Sequence, residues 1–493
     1  MIYSECTIQV PRLSQLLSSL YKGKITTEHV QVLIRMMEKC LRNPSSCFCY
    51  GLNPQTVFQQ MANVLKALVE PYGDLFINRE ELAPLLVFLS PENDLDLIST
   101  TLKIFSVLGT EKSECTKSSV PLESRNLELA HYIKNTCETL LFGKEQITLS
   151  TSLLKQIINF IQNNLPLSAD SILTNYFLMA KEKLEGSANF SYSPYIALLG
   201  YLSPWLPLEH RNVLKSTISR KVVKDLLIKS SPTKENLEVT RLKCSTTNLS
   251  AEVFCKILGM KTIYRWLLST QGEDLIVIGN TLRMLDAFLV HKGDLLDAGD
   301  LSDLERAALR LTAGRCILKI CGSKNALKQL NPNLIHNLSQ LMMDENAEVR
   351  EKFGSKLYKD LCPRESTLSS LFLSFLALGI LDPEEFLQQR AMQHIEQFCQ
   401  SKRQEWDEQC LFWLIPLLAN APSQWILPRN DKDSMLDWPP NVLAQQRIRL
   451  AIWSIIAPML PPQPKITIAR IQHIVQKIKN SEDGMSLDCN SNV

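Results

Sequence analysis

Residues 343–361 read MDENAEVREKFGSKLYKDL, and the spacing within them decides the fold. Val349, Phe353, Leu357 and Leu361 recur at intervals of four, which lays one apolar stripe along a helix spanning residues 346–362. Asp344 opens the joint before that helix, and Asp382 opens the next joint, before Glu384, 38 residues further on. A helix, a short Asp-containing turn and a second helix, repeated at about 40 residues, is the spacing of stacked helix pairs. In such a unit the turn Asp can accept hydrogen bonds from backbone amides at the start of the second helix. Arg350, at the head of that helix, can reach the turn of the adjacent repeat.

Outward from this stretch the same period dominates and strict alternation is scarce. Helices are expected at 81–89, 95–108, 127–141, 153–163, 169–184, 195–205 and 210–228. They continue at 251–269, 275–290, 304–320, 333–343, 370–381, 384–400 and 407–418. The joints are short and carry start and stop signals, among them Ser90-Pro91, Ser193-Pro194, His291-Lys292-Gly293 and Asp382-Pro383. The fold class that follows is all-α, an α-solenoid of antiparallel helix pairs in the manner of HEAT repeats, an armadillo-type superhelix. The organisation expected is helical repeats at 1–110, HEAT-like repeats at 121–228 and again at 249–418, a long loop with C-terminal helices at 419–480, and a polar, disordered tail at 481–493. Polar stretches at 110–120 and 229–248 read as exposed loops, and 422–440, with Trp425, Trp438 and several prolines, as a loop packed on the array.

Composition excludes several classes. With 53 Lys+Arg against 51 Asp+Glu, the net charge of +2 gives the whole chain no field to steer it onto DNA or lipid, so a charge-driven partner must use a local patch. Only 17 Gly and 7% aromatic residues in 493 argue against a turn-rich sandwich or propeller. Fourteen Cys are too few for a disulfide scaffold, and Cys255, Cys316 and Cys399 fall on apolar helical faces, so a reducing compartment is expected. The start of the chain is polar and has no signal-peptide pattern. The longest apolar stretch, 368–381, is interrupted by serines and shorter than a membrane span, so no membrane partner is expected.

The chemistry-bearing residues are sparse. Seven His stand singly, and there is no HExxH, GxSxG, GxxxxGK[ST] or GxGxxG. No catalytic, cofactor-binding or metal-binding residue is therefore assigned, no cofactor is expected, and the chain reads as a non-enzyme. His394, between Met392 and Phe398, reads as a structural residue. Cys40, Cys47 and Cys49 with His29 are residue types that suit zinc, but the spacing is not that of a paired CxxC site and a fourth ligand is missing. Two basic clusters stand out. Arg211, Lys215, Arg220, Lys221 and Lys224 flank the stripe Leu214, Ile218, Val222 and Leu226. Arg447, Arg449, Lys465, Arg470, Lys477 and Lys479 occur between Trp438 and Asn480 without one Asp or Glu. Each pattern fits a solvated face or a phosphate-binding face, and neither has the interleaved aromatics of a single-strand binder.

Within residues 197–228 the run LLGYLSPWLPLEHRNVLKSTISRKVVKDLL, followed by LSAEVFCKILGMKTIYRWLL at 249–268, resembles the cohesin-associated regulators of sister chromatid cohesion named for precocious dissociation of sisters, protein five. The resemblance continues through NTLRMLDAFLVHKGDL (280–295), LERAALRLTAGRCILKI (304–320) and the opening stretch at 343–361. The shared residues are packing residues: Leu304, Ala308 and Leu311 read as an apolar stripe, and Gly314 as a point of close helix approach. Members of that family are much longer, so the chain looks like the C-terminal half of their solenoid. The resemblance implies a non-enzymatic, nuclear, chromosome-associated protein that docks on the kleisin subunit of cohesin and modulates whether the ring is retained on or released from chromatin. Cohesin release and establishment factors are implied as further partners, chromatin as an indirect one, and the basic clusters leave a weak direct contact with DNA open. Partner-binding residues are not legible, because the matching residues belong to the core. The alternative is a generic helical-repeat scaffold or adaptor for another complex.

Overall fold

A computed structural model of the chain describes residues 26–42, 64, 89, 95–108, 127–142, 151–186, 193–228, 249–270, 274–295, 301–362, 368–401, 409–422, 425, 440–459, 468–469, 472–473, 475–477 and 480. The described residues form helices and joints with no strand, and no described helix is long and apolar enough to cross a membrane. The expected loops at 110–120 and 229–248, the tail at 481–493 and nearly all of the expected helix at 81–89 lie outside them. The chain divides into two compact units, Met1–Ser216 and Thr217–Val493.

The first unit holds α1 (Thr27–Arg42), α2 (Leu95–Leu108), α3 (Leu127–Phe142), α4 (Thr151–Asn164), α5 (Ala169–Gly186), α6 (Ser193–Leu202) and most of α7 (Leu208–Thr217). Helix α4 packs against α2 on one side and α6 on another. The end of α4 is fastened by Asn164, whose buried Nδ2 donates to the carbonyl of Phe105 at 2.9 Å, satisfying a polar group that burial would otherwise penalise. Phe142 meets Tyr176 edge-on at 5.6 Å and stacks on Tyr195 at 6.0 Å, which joins α3, α5 and α6.

The second unit is the ordered repeat. It begins with the wide-turned segment Ile218–Ile228, a π-helix, and continues with α8 (Ala251–Ser269), α9 (Leu275–Val290), α10 (Asp303–Cys321), the short α11 (Lys324–Leu327) and α12 (Pro332–Ser339). Then come α13 (Ala347–Leu361), α14 (Leu373–Leu378), α15 (Glu385–Ser401), α16 (Gln409–Ala419) and α17 (Pro440–Met459). Packing falls into two rows. Helices α8, α10, α13, α15 and α17 each lie against the next, α9 lies against α12 and α14 against α16, and the rows meet at α9–α10, α13–α14 and α14–α15. Stacking of this kind, each element touching its sequence neighbours and the next of its own row, is the organisation of a solenoid.

Local chemistry fixes the joints. Ser302 and Glu305 form a reciprocal capping box on α10, and Glu305 also accepts from the backbone N–H of Ser250, the cap residue of α8, at 2.9 Å. One carboxylate thus ties two N-termini of the same row side by side. Burial pushes the Glu305 carboxyl up, but the hydrogen bonds from Ser250 and Ser302 outweigh it and hold it below the ordinary glutamate value. After α9 the chain turns through Lys292 and Gly293, both at positive φ. A Cβ on Gly293 would stand 2.4 Å from the Arg306 carbonyl oxygen, so only glycine fits.

The helix expected at 346–362 is α13, and Val349, Phe353, Leu357 and Leu361 are all buried. Residues 251–269 and 275–290 are helical over the expected spans. Three expectations need correction. The single helix expected at 210–228 changes at Ile218 from α to π. An α-helix overshoots a full turn by about 40° every four residues, and the wider turn keeps Ile218, Val222 and Leu226 pressed on α8, where Val222 lies 3.0 Å from the Cβ position of Gly259. The helices expected at 333–343 and 370–381 are α12 and α14 with 3-10 turns at Gln340–Met343, Ser370–Phe372 and Gly379–Leu381. The stripe Leu304, Ala308 and Leu311 does not face the core: Leu304 is 54% exposed, while Ala307, Leu309, Ala313, Ile317 and Ile320 are buried. Helix α10 sits between α8, α13 and α9, so it buries most of its circumference and its period does not choose one face. Gly314 is a close approach as expected, since a Cβ there would stand 2.1 Å from Leu341 Cδ1.

Leu357→Ala, which opens a void beneath fully buried Phe353, is expected to cost about 2–5 kcal/mol, read by chemical denaturation of the full chain. Glu305→Ala is expected to cost about 0.5–2 kcal/mol at neutral pH. Because the folded pKa is held down, this contribution is complete above the unfolded carboxylate value of about 4.3 and is lost as pH falls through the lower folded value. The difference in melting temperature between wild type and variant should therefore narrow only in acid.

Candidate partner-binding surface

The turns of the second unit are built on paired charges. Arg350 of α13 forks onto Asp382, with Nε to Oδ2 at 2.7 Å and Nη2 to Oδ1 at 3.1 Å, in the turn before α15. Its Nη1 donates to the Asp344 carbonyl at 2.9 Å, and Nη2 also reaches Glu384 at 3.1 Å. One rung earlier Arg310 of α10 forks onto Asp344, with Nε to Oδ2 at 2.8 Å and Nη2 to Oδ1 at 2.9 Å, and donates to the Lys292 carbonyl. Each Asp also accepts from the backbone N–H two residues on, Asn346 and Glu384, both at 2.9 Å. The expected reach of Arg350 to the adjacent turn is thus present, and Arg310, 40 residues earlier, repeats it. The ring of Trp425 lies 5.1 Å from the Arg350 guanidinium, and Arg447 of α17 donates to the Leu381 carbonyl at 2.6 Å.

Beside this ladder the row α8, α10, α13 and α15 presents a charged and aromatic surface. Lys319 of α10 and Lys356 of α13 share Asp360, at 3.0 and 2.6 Å. Lys261 and Arg265 of α8 and Arg315 of α10 gather around buried Cys316. Burial pulls the Lys261 ammonium below the ordinary lysine value, and the Arg265 and Arg315 charges add to the effect. Burial likewise pushes the Cys316 thiol up to about 12, so it is a protonated packing group. Further along, Tyr358 stacks on His394 at 4.0 Å with planes 6° apart and donates to Gln397 at 2.5 Å, while Arg390 pairs with Glu351. A cavity of about 20 Å³ lined by Arg350, Glu351, Asp382, Arg390 and His394 has room for a single water.

Several residues singled out by their sequence pattern have definite places. His394 is a stacked, half-buried ring, its pKa lowered by burial and then by Arg390. His29 accepts from the Thr26 N–H at 3.1 Å at the head of α1; the side chain of Cys40, together with Cys47 and Cys49, lies outside the described residues, which contain no group of metal-ligating side chains. In the first basic cluster Arg211 and Lys215 belong to the first unit and Arg220, Lys221 and Lys224 to the second, where Lys221 pairs with Asp225 at 3.7 Å. In the second cluster Arg447 is turned inward to the Leu381 carbonyl, Arg449 and Lys477 are exposed, and Lys465, Arg470 and Lys479 lie outside the described residues. The sequence reading passed over Lys261, Arg265, Arg315 and Lys319. Its available signal was the absence of any Asp or Glu after Glu252 in α8 and after Glu305 in α10, while Lys and Arg recur four or five residues apart.

The family model for the sister chromatid cohesion protein PDS5 matches residues 25–493. The chain belongs to the PDS5 family. It is 24% identical over 478 residues to sister chromatid cohesion protein PDS5 homolog A of Gallus gallus, covering 94% of this chain and 34% of that protein. To homolog A of Homo sapiens it is also 24% identical, covering 94% and 33%. With homolog B-B of Xenopus laevis the identity is 27% over 299 residues, covering 59% of this chain and 20% of that protein. The chain spans about a third of the length of the homolog A relatives it matches. PDS5 membership accounts for the ordered resemblance of residues 197–361.

Arg350→Ala leaves Asp382 buried without its partner and is expected to destabilise the α13–α15 joint by about 3–5 kcal/mol, whereas Arg310→Ala, at a wetter rung, should cost about 1.5–3 kcal/mol. Hydrogen exchange of the full chain should show lost protection confined to residues 344–400 for the first and shifted toward 292–361 for the second.

Proposed function

We propose that this chain is a non-enzymatic regulator of sister chromatid cohesion that binds the cohesin complex through its kleisin subunit and modulates cohesin retention or release on chromatin. The observation that carries this reading is the family match over 25–493. The fold supports it physically: a row of parallel-stacked helices offers a long lateral surface, suited to a linear segment of another protein rather than to a small substrate. Glu305 is held in a helix-cap network and Cys316 in a packing position, which accords with a binding protein. On this reading the protein acts in the nucleus on chromosomes, with release and establishment factors as further partners and chromatin contacted through cohesin.

Purified chain should retain a kleisin segment or assembled cohesin at physiological salt, and should not hydrolyse nucleotide. Retention should persist as salt is raised through the range that screens exposed charges. Failure to retain cohesin, with another complex recovered reproducibly instead, would replace this reading with that of a general helical-repeat adaptor.

A further inference from the structure

We propose that two Leu-Pro-Leu turns on one edge of the first unit form a docking site for a short segment of a partner protein, one that carries two apolar side chains with a lysine or arginine beside them. The proposal goes beyond the cohesin reading and does not depend on it. Leu165-Pro166-Leu167 and Leu206-Pro207-Leu208 stand 41 residues apart, the first at the joint between α4 and α5 and the second at the joint between α6 and α7. In each the first leucine is buried and the last is raised to solvent, Leu167 to 83% and Leu208 to 75%. Trp205, just ahead of the second turn, is 44% exposed. One exposed leucine is ordinary on a protein surface; the same three residues presenting the same side chain outward at two consecutive joints, with a tryptophan beside them, make a patch.

The topology brings the two turns together. Helix α6 packs against α4 and α5, and helices linked by short turns reverse direction, so α4 and α6 run the same way and their C-terminal ends share an edge. Packed helices lie about 8–10 Å apart and an extended chain advances about 3.3–3.6 Å per residue, so anchors three residues apart reach both turns. The turns are stiff. Proline fixes two backbone angles, the N–H groups of Leu165 and Trp205 donate to the carbonyls of Ile161 and Leu202 at 2.9 Å, and the Ser203 hydroxyl donates to the Gly200 carbonyl at 2.8 Å. Little freedom is therefore lost when a partner seats on them.

Charge selects the occupant. Asp170 in the first turn of α5 and Glu209 in the first turn of α7 are exposed, and neither has an ion pair among the described residues. The cation at these turns, Arg211, is tied back through Nε to the Leu206 carbonyl at 3.4 Å. Each exposed leucine thus has an unpaired carboxylate close by in sequence, and the half-exposed ring of Trp205 offers a face to a cation. Apolar anchors with adjoining Lys or Arg answer all of these groups, whereas phosphates of nucleic acid or lipid would meet the two carboxylates.

The test is fluorescence anisotropy of the full chain with a short labelled peptide of Leu-Lys-Ser repeated, beside counterparts with Glu in place of Lys and with Ser in place of Leu. The Leu-Lys-Ser peptide should bind saturably and neither counterpart should. Leu167→Ser combined with Leu208→Ser, both at exposed positions where the melting temperature should not fall, should weaken binding about tenfold or more. Asp170→Lys combined with Glu209→Lys should move the preference to the Glu peptide, a change that loss of packing alone would not produce. Val290→Ser, at an exposed apolar position of the second unit, should leave binding unchanged. The proposal is overturned if the Leu-Lys-Ser peptide does not bind, or if it binds the leucine and carboxylate variants as it binds wild type. It is also overturned if sedimentation shows wild type self-associating and the leucine variant monomeric, which would make a second copy of the chain the occupant of this edge.

Discussion

Arg350 and Asp382 expose 5% and 2% of their side chains, and burying either charge there without the other would be costly. The geometry meets the demand: a two-pronged contact, a backbone carbonyl for the remaining guanidinium nitrogen, and a backbone N–H for the carboxylate. Each requirement names a different segment. The arginine comes from the head of one helix, the carbonyl from the turn behind it, and the aspartate from the turn ahead. Satisfying one buried cation therefore fixes three consecutive segments relative to one another. Arg310 and Asp344 do the same one repeat earlier, and Trp425 and Arg447 close over the later turn from the C-terminal side. Apolar packing supplies most of the stabilisation of such a stack, but it is nondirectional, and these polar turns set which helix follows which at what distance.

The parts of this arrangement that were legible in the sequence are those with a local signature. A four-residue stripe and an Asp two residues ahead of the helix cap identify α13 and its turn, and the next Asp at 38 residues gives the period. Arg310 performs the same task as Arg350 but stands mid-helix, inside Leu-Arg-Leu, with an additional short helix between it and its aspartate, so no fixed offset reveals it. The face of α10 was misread for a related reason: neighbours on three sides bury residues at almost every phase of the period. Pro440 was grouped with the preceding proline-rich loop, although a proline with fixed φ is also the natural first residue of a helix, as it is in α17. The grouping of Lys261 and Arg265 with Arg315 depends on helices distant in sequence, and its local trace is the lack of acidic residues in the later parts of α8 and α10.

Family membership and surface chemistry meet on one row of helices. The stretch matched by the PDS5 family contains the buried residues that order the array. The residues available to a partner are the outward ones of the same helices. A buried stack fixes the order of the helices, and the outward row of the same helices is left to meet a partner.

The Arg–Asp turns also have a mechanical meaning. The joints follow one another along the chain, so tension applied between the ends of the second unit passes through each in turn, as through links in series. The joint with the greatest access for water is the first to part, because solvent can replace the ion pair as it lengthens. Arg310 exposes 15% of its side chain against 5% for Arg350, and its remaining nitrogen donates to the carbonyl of Lys292, a residue at positive φ. A pull along the array would therefore open the Arg310–Asp344 joint before the Arg350–Asp382 joint.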